Sequence, residues 1–410
     1  MSAEAEADLP AWQREKIFPA KPEGSPYGVV VGRGQSKPFE TFAELENWLR
    51  DSAHPGGLIW TPERARCFPP EEESALLESL KSRKSQFAKE SWLSKRSQAL
   101  FLLIPLGYLL FSLGFNLQRQ ETGFYIVLWL MFGGLPAYEA WKSQRKATRL
   151  SEENLASEAA EVRFEIWIRR QNAPVTKVLL GLLIGVYLVQ VLLSARAGSH
   201  ILGALLAPTL TLGGIPQLAG LPEAGLVKAG GYHAGELWRL LTAPFLHGGL
   251  LHLAMNGLGL LYLGRRTEVM ARWPHLLLVF LASMVVGGMA SAYGLAKPSV
   301  GASGGILGLL GFLLVFEWLH ARLVPIPATR RLVAGILLTF FIGFVGYQFI
   351  DNWAHGGGLL AGAIYGAVVF PKSSSPHRPK STGVDIACGI FSALMLLFSA
   401  VLAVVKMKGA

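Results

Sequence analysis

Nine apolar segments, at roughly 99–116, 124–140, 176–195, 244–264, 274–293, 302–320, 331–349, 353–370 and 384–405, constrain this chain more than any other feature. Each approaches the ~20 residues that a helix needs to cross a bilayer. In lipid a backbone must satisfy its own hydrogen bonds, so runs of this kind fold as spanning helices. Charged residues are only 16% of the 410, against about 25% in ordinary soluble domains. The expectation is an all-α polytopic membrane protein embedded in a lipid bilayer. The first two segments, which contain Pro105 and Pro136, are read as a transmembrane hairpin.

The loops give a topology. Lys84, Lys89, Lys95 and Arg96 precede the first segment; Lys142, Arg145, Lys146 and Arg149 follow the second; Arg169 and Arg170 precede the third. Further basic clusters are Arg265 and Arg266, then Arg322, Arg330 and Arg331, then Lys372, Arg378 and Lys380. With nine spans all of these fall on one side, predicted to be the cytoplasm, with the N-terminus inside. Lys406 and Lys408, at the C-terminus, run against the rule. The net charge of +10 is therefore read as a topology signal, with no nucleic-acid partner. A bacterial cell (inner) membrane is the expected location.

Ahead of the spans the chain is more polar. Residues 1–25 read as a disordered leader, and Met1 to Pro10 is acidic with no apolar core, so no cleavable signal peptide is expected. Residues 26–97 read as a small cytosolic α/β domain. Tyr27 to Val31 and Gly57 to Trp60 are expected strands. Thr41-Phe-Ala-Glu44 is a capping-box pattern that opens a helix bearing Phe42, Leu45 and Leu49 on one face. Glu71 to Glu90 is expected to be helical. Residues 98–140 are then the hairpin, 141–174 a cytosolic connector, 175–371 the functional core, and 372–410 a loop and one further transmembrane helix. Cys67 and Cys388 lie in different regions and show no metal-ligand spacing, so neither a disulfide nor cysteine chemistry is expected.

The chemistry-bearing residues sit inside the apolar core. Gly301-Ala-Ser303-Gly304-Gly305 places a serine at the head of one span, and Ala354-His355-Gly-Gly-Gly358-Leu-Leu-Ala-Gly362 places a histidine in another. A helix N-terminus offers unpaired N–H groups and the positive end of a dipole, which suits a developing oxyanion. Gly304, Gly308 and Gly311 share a narrow arc, and His355, Gly358, Gly362 and Gly366 share one helix face. Two such faces let helices approach closely and carry His355 towards Ser303, where a neutral imidazole can accept the hydroxyl proton. The bland alternative is that Ser, His and Gly merely hold helices together. That role does not call for a nucleophile, a base and further donors at once, and polar groups at bilayer depth usually serve function.

The further donors are His247, His252 and Asn256. His252 and Asn256 are four residues apart and share a helix face, with His247 where the loop enters the membrane. Zinc binding is one reading, but no carboxylate lies in the cluster and Asn is a poor zinc ligand. Side-chain donors that complete an oxyanion hole beside the Ser303 N–H fit better. For His247, anchoring the loop and direct catalysis remain equal alternatives.

Gly235-Glu236-Leu-Trp238-Arg239, His247-Gly-Gly-Leu-Leu-His252-Leu-Ala-Met-Asn256, Gly264 with Glu268, Gly301-Ala-Ser303-Gly304 and Ala354-His355-Gly-Gly, in that order, resemble the rhomboid family of intramembrane serine proteases. The resemblance covers roughly residues 176–370. It implies a rhomboid-like six-helix core with a Ser303–His355 dyad and no catalytic aspartate, and the segment 384–405 makes this six plus one. It also implies that His252 and Asn256 act with the Ser303 amide on the oxyanion, and that Trp238 and Arg239 are structural residues of the first outer loop. Gly301, Gly304, Gly358 and Gly362 support the site. One departure is Leu307, where some bacterial members carry a tyrosine that stacks on the histidine. The implied activity is serine-type endopeptidase cleavage of single-pass transmembrane proteins near the outer end of their spans, with no cofactor and no metal. Rivals are a non-proteolytic rhomboid-like protein that binds or escorts membrane clients, which is expected to lack the serine or the histidine, and a transporter, which is expected to carry ionisable residues at several midplane positions.

Overall fold

The computed structural model describes residues 8–31, 35–51, 57–112, 120–212, 215–347 and 350–408. The expected first residues of the leader, the end of the first apolar segment beyond 112, and residues 348 and 349 of the seventh lie outside these. The chain divides into two compact units, one of Met1–Arg169 with Pro325–Ala328 and Phe341–Ile350, the other of Arg170–Val324, Thr329–Phe340 and Asp351–Ala410.

In the first unit a three-stranded antiparallel sheet has the order β2-β1-β3, with β1 Tyr27–Val31, β2 Gln35–Phe39 and β3 Leu58–Trp60. β1 and β3 are the two expected strands, and β2 is an addition. Gln35-Ser-Lys-Pro-Phe39 has no apolar alternation and only Phe39 is buried. Its strand state comes from pairing with β1, Val30 opposite Ser36. Helix α1, Phe42–Asp51, is capped as its sequence suggests. Thr41 Oγ1 accepts from the Glu44 N–H at 3.3 Å, and the Glu44 carboxylate accepts from the Glu40 N–H at 3.0 Å. Leu45 and Leu49 meet Val29, Ile59, Leu76 and Leu80 in the core.

Three expectations for this unit need correction. Residues 8–25 are not a disordered leader: they form two 3-10 turns, Ala11–Gln13 and Glu15–Ile17, with Trp12 and Phe18 buried. Trp12 stands edge-on to Phe164 at 6.0 Å, an apolar contact that the leader's polar composition conceals. Nor is 141–174 only a connector. After α4, Leu135–Thr148, the helix α5, Glu152–Arg170, adds Leu155 to the sheet core, and Arg163 donates to the carbonyls of Trp12 and Gln13. Finally, the helix expected from Glu71 begins as 3-10 turns at Pro70–Glu72 and Ser74–Leu76. It then runs unbroken as α2, Leu77–Ser112, through Pro105. The returning arm of the helical hairpin is α3, Gln120–Trp129, a π turn at Leu130–Gly134, and α4. The Trp129 indole N–H donates to the Ala99 carbonyl at 3.0 Å, which joins the two arms.

The second unit is helical. Its longer helices are α6 Pro174–Arg196, α7 Leu250–Gly259, α8 Arg265–Ala271, α9 Trp273–Gly294, α10 Ser303–Leu319, the Thr329–Phe340 part of α11 Ile326–Val345, α12 Asn352–Val369 and α13 Gly383–Lys408. Among the described residues four are long and apolar enough to cross a membrane: α6, α9, α13 and the part of α11 from Ala328. The apolar α10 is shorter. The protein is a multi-pass, membrane-embedded helical protein with a rhomboid-like fold. The expected span from 244 starts as helix only at Leu250, because Pro244 and the pair Gly248-Gly249 break the chain before it; the intervening turn is Ala243–Phe245. A short hairpin, β4 Thr209–Leu212 with β5 Ile215–Leu218, lies between α6 and α7.

Buried polar groups hold this unit together at defined points. Glu268 caps α6, accepting the N–H groups of Val175 and Thr176 at 3.1 and 2.8 Å and the Thr176 hydroxyl at 2.7 Å. Arg266 pairs with Glu317 at 2.5 Å, both fully buried, and Thr329 donates to the same carboxylate. Lys406, which ran against the charge rule, stands 4.4 Å from the centre of the Trp238 ring. A cation–π contact there offsets part of the cost of its placement.

Candidate active site

The site begins with how closely two helices touch. A Cβ on Gly358 would stand 2.0 Å from the Gly304 carbonyl oxygen, and one on Gly362 would stand 1.9 Å from that of Gly308. No side chain fits at either place, so α10 and α12 meet backbone to backbone. His355 lies one helical turn before Gly358, and Ser303 is the first residue of α10. The approach brings His355 Nε2 to 2.8 Å from Ser303 Oγ. A neutral imidazole with its proton on Nδ1 can accept the serine hydroxyl there. The Nδ1 atom is buried with no hydrogen-bond partner among the described residues. Leu307 is half-buried, and no aromatic ring contact is recorded for His355 among the described residues.

The loop before the serine is shaped by Gly301, whose φ of 115° favours glycine. A Cβ there would fall 2.7–2.8 Å from the His252 ring and 3.7 Å from Asn256 Nδ2, so both donors face this loop. His252 Nδ1 accepts the Gly248 N–H at 3.3 Å, which in a neutral ring leaves Nε2 carrying the proton. Asn256, nearly buried, donates one amide hydrogen to the His252 carbonyl at 3.1 Å, and its other amide hydrogen remains available. Ser303, as the first residue of α10, also has a backbone N–H beyond the reach of the helix's own hydrogen bonds. A cleft of about 30 Å³, lined by Ser299, Gly301, Gly304 and Ala354 among others, adjoins it. At ~10–15 Å³ per water it has room for about two.

His247 is brought near the others but differently. Its ring is fully buried, edge-on to His252 with centres 5.2 Å apart, and neither ring nitrogen has a hydrogen-bond partner among the described residues. Its backbone is held by Gln190 of α6, which accepts from the His247 N–H at 3.0 Å and donates to its carbonyl at 3.4 Å and to that of Ala219 at 2.7 Å. Of the two roles left open, the anchoring one has visible contacts. Trp238 and Arg239 lie in the segment between α6 and α7, and Arg239 also lines the cleft beside Gly301 and Gly304. Arg239 donates to the Gly225 carbonyl at 2.7 Å, pairs with Glu236 at 2.6 Å, and lies 4.6 Å over the Trp238 ring. That loop joins the site through backbone hydrogen bonds between Leu226 and Ser299 and from Gly301 to the Ala243 carbonyl.

Sequence reading missed Gln190, Ser291, Ser299, Lys228 and Asp351. Asp351 alone left a signal: Asp351-Asn-Trp-Ala354 is an N-cap pattern, and its carboxylate accepts the Ala354 N–H at 2.9 Å. Among the described residues no three His, Cys, Asp or Glu side chains gather as a metal site.

Residues 234–372 match the family model described as Rhomboid domain. Among curated proteins the chain is 37% identical over 142 residues to the rhomboid protease GluP of Bacillus subtilis, covering 34% of this chain and 28% of that one. It is 35% identical over 144 residues to RHOMBOID-like protein 6, mitochondrial, of Arabidopsis thaliana, covering 34% and 46%. It is 35% identical over 175 residues to RHOMBOID-like protein 4 of the same plant, covering 42% of each. The chain thus spans less than half the length of each of these relatives.

Proposed function

The chain belongs to the rhomboid family through its domain at residues 234–372, and on that premise we propose that it is a serine endopeptidase that cuts single-pass membrane proteins near the outer end of their spans. The observation that carries the reading is the 2.8 Å approach of His355 Nε2 to Ser303 Oγ. His355 takes the hydroxyl proton as Ser303 attacks the scissile carbonyl, then returns it to the leaving amine, leaving an acyl-enzyme. The Ser303 N–H, His252 Nε2–H and Asn256 Nδ2–H stabilise the oxyanion in both halves of the reaction. A water from the cleft beside Gly301 then releases the product. No cofactor enters these steps.

We place the protein in a bacterial inner membrane with its N-terminus in the cytoplasm, on the strength of the basic loops and the likeness to GluP. A non-proteolytic client-binding protein has no use for a serine within hydrogen-bond reach of a base. The test is labelling by a fluorophosphonate probe together with cleavage of a single-pass substrate in liposomes. Wild type should do both and Ser303→Ala neither; equal labelling of the two proteins would sink the reading.

A further inference from the structure

The glycine faces of α10 and α12 explain why the dyad is close but not why it is in register. Glycines bring the two backbones together but carry no polar group that could bond the imidazole. In a serine–histidine–carboxylate triad the third residue fixes the imidazole from behind. Here His355 Nδ1 has no such partner among the described residues. Alignment of the ring must therefore come from what fixes α12 itself.

One side chain is placed to do so. Asp351, four residues before His355, caps α12 by accepting the Ala354 N–H at 2.9 Å through Oδ1. Its Oδ2 accepts two hydroxyls, one from Ser291 of α9 and one from Ser299 at 2.6 Å. Ser299 lies in the segment that leads into Ser303 and is paired by its backbone with Leu226. A single carboxylate thus ties the start of the histidine helix to the neighbouring helix and to the approach of the serine. Nearby, Lys228 is buried and donates to the Lys297 carbonyl. Burial lowers the Lys228 ammonium to about 8, and the charge of Asp351 opposes that shift. A capping residue alone does not need two serine donors.

We propose that Asp351 is the positioning residue of this enzyme, setting the axial register of α12 against α10 and hence the alignment of His355 Nε2 with Ser303 Oγ. The proposal rests on the serine-endopeptidase reading. It predicts a defect in turnover and not in substrate binding.

The experiment compares full-length wild type, Asp351→Ala and the double variant Ser291→Ala/Ser299→Ala in liposomes. Cleavage kinetics, probe labelling and thermal unfolding are measured for each. Misplacement of a reacting group by ~1 Å costs about a hundredfold, so Asp351→Ala should lose about that much in kcat, and the double variant about tenfold. Both should keep KM within about twofold once rates are normalised to folded protein, because the substrate-facing groups are untouched. The double variant retains the cap and the charge, so it separates register from helix capping, and it decides alone if Asp351→Ala does not fold. An active wild type beside a double variant with unchanged kcat, or with a loss fully accounted for by unfolded protein, overturns the proposal and leaves the protease reading standing. A wild type that neither labels nor cleaves removes the reading and the proposal together.

Discussion

Polar side chains of the first unit and those around Ser303 are satisfied in different ways. In the first unit the buried or partly buried carboxylates Glu71, Glu72, Glu158 and Glu161 are met by basic side chains, of which Lys146 is exposed. Arg163 pairs with Glu72 at 2.6 Å, Lys84 with Glu71 at 2.9 Å, and Lys146 with Glu158 and Glu161 at 2.6 and 3.0 Å. Around Ser303 the groups are a hydroxyl, imidazoles and an amide, and several keep hydrogen-bonding capacity unused. Breaking the first kind of arrangement removes stability. Breaking the second kind is expected to leave the fold largely intact and to remove the proposed activity. The pairs Arg266–Glu317 and Glu268–Thr176 of the second unit belong with the first kind.

The largest expected effect tests that distinction directly. Ser303→Ala or His355→Ala should lower kcat on the order of 10⁴-fold or more, with the double variant no worse, since such residues act as a unit. Unfolding temperatures close to wild type would show that the pair is not a brace. On the proposed mechanism His252→Ala and Asn256→Ala each remove one oxyanion donor and should cost roughly 10²–10³ in kcat; cleavage rates at saturating substrate report this, and an unchanged rate excludes that residue from the hole.

Gly362→Ala probes the interface between the two helices. Its Cβ would stand 1.9 Å from the Gly308 carbonyl oxygen, so even this smallest side chain must push the backbones apart. Overpacking of this kind costs about 1–3 kcal/mol, and the shift should lower turnover about a hundredfold through His355. Calorimetry and cleavage assays together check it, and a variant normal in both contradicts the contact.

In the first unit Arg163→Ala should destabilise by roughly 2–3 kcal/mol, less than the ~3–5 of a fully buried pair because Glu72 also bonds Arg64. Cleavage per folded molecule should be unchanged; a kinetic defect would erase the contrast between the units.

The smallest effect is a slope. Lys228 falls from the usual 10.5 to about 8 in the folded protein because its burial penalises the charge. Between those values the unfolded chain holds a proton that the folded one has released, so stability rises with pH across the window. Lys228→Met should flatten this rise in unfolding temperature between pH 8 and 10.5.

The dyad was legible because each half carries its own local mark, Gly-Ala-Ser303-Gly and Ala-His355-Gly-Gly, and because glycines at helical spacing announce a close face. Asn256 was legible for the same reason, one turn beyond His252. Gln190 was not: a glutamine inside α6 looks like any polar residue in a span until the backbone of His247 is seen beside it. Ser291 and Ser299 lie on different segments, and only their convergence on Asp351 gives them meaning. In the first unit, β2 and the turns around Trp12 escaped notice because their pairing partners are distant and their own composition is polar or mixed.

By itself the sequence determined the membrane class of the protein, four long apolar helices among the described residues and the residues of its motifs, because hydropathy, helical periodicity and glycine spacing act within one or two turns of chain. The tertiary structure decided the 2.8 Å contact of His355 with Ser303, the ring nitrogen of His252 that accepts the Gly248 N–H, the hold of Gln190 on His247 and the hydrogen bonds gathered on Asp351. Each of these is a distance between side chains or backbone groups brought together by the packing of helices, turns and loops. Packing depends on all the contacting surfaces at once, and no local pattern records it.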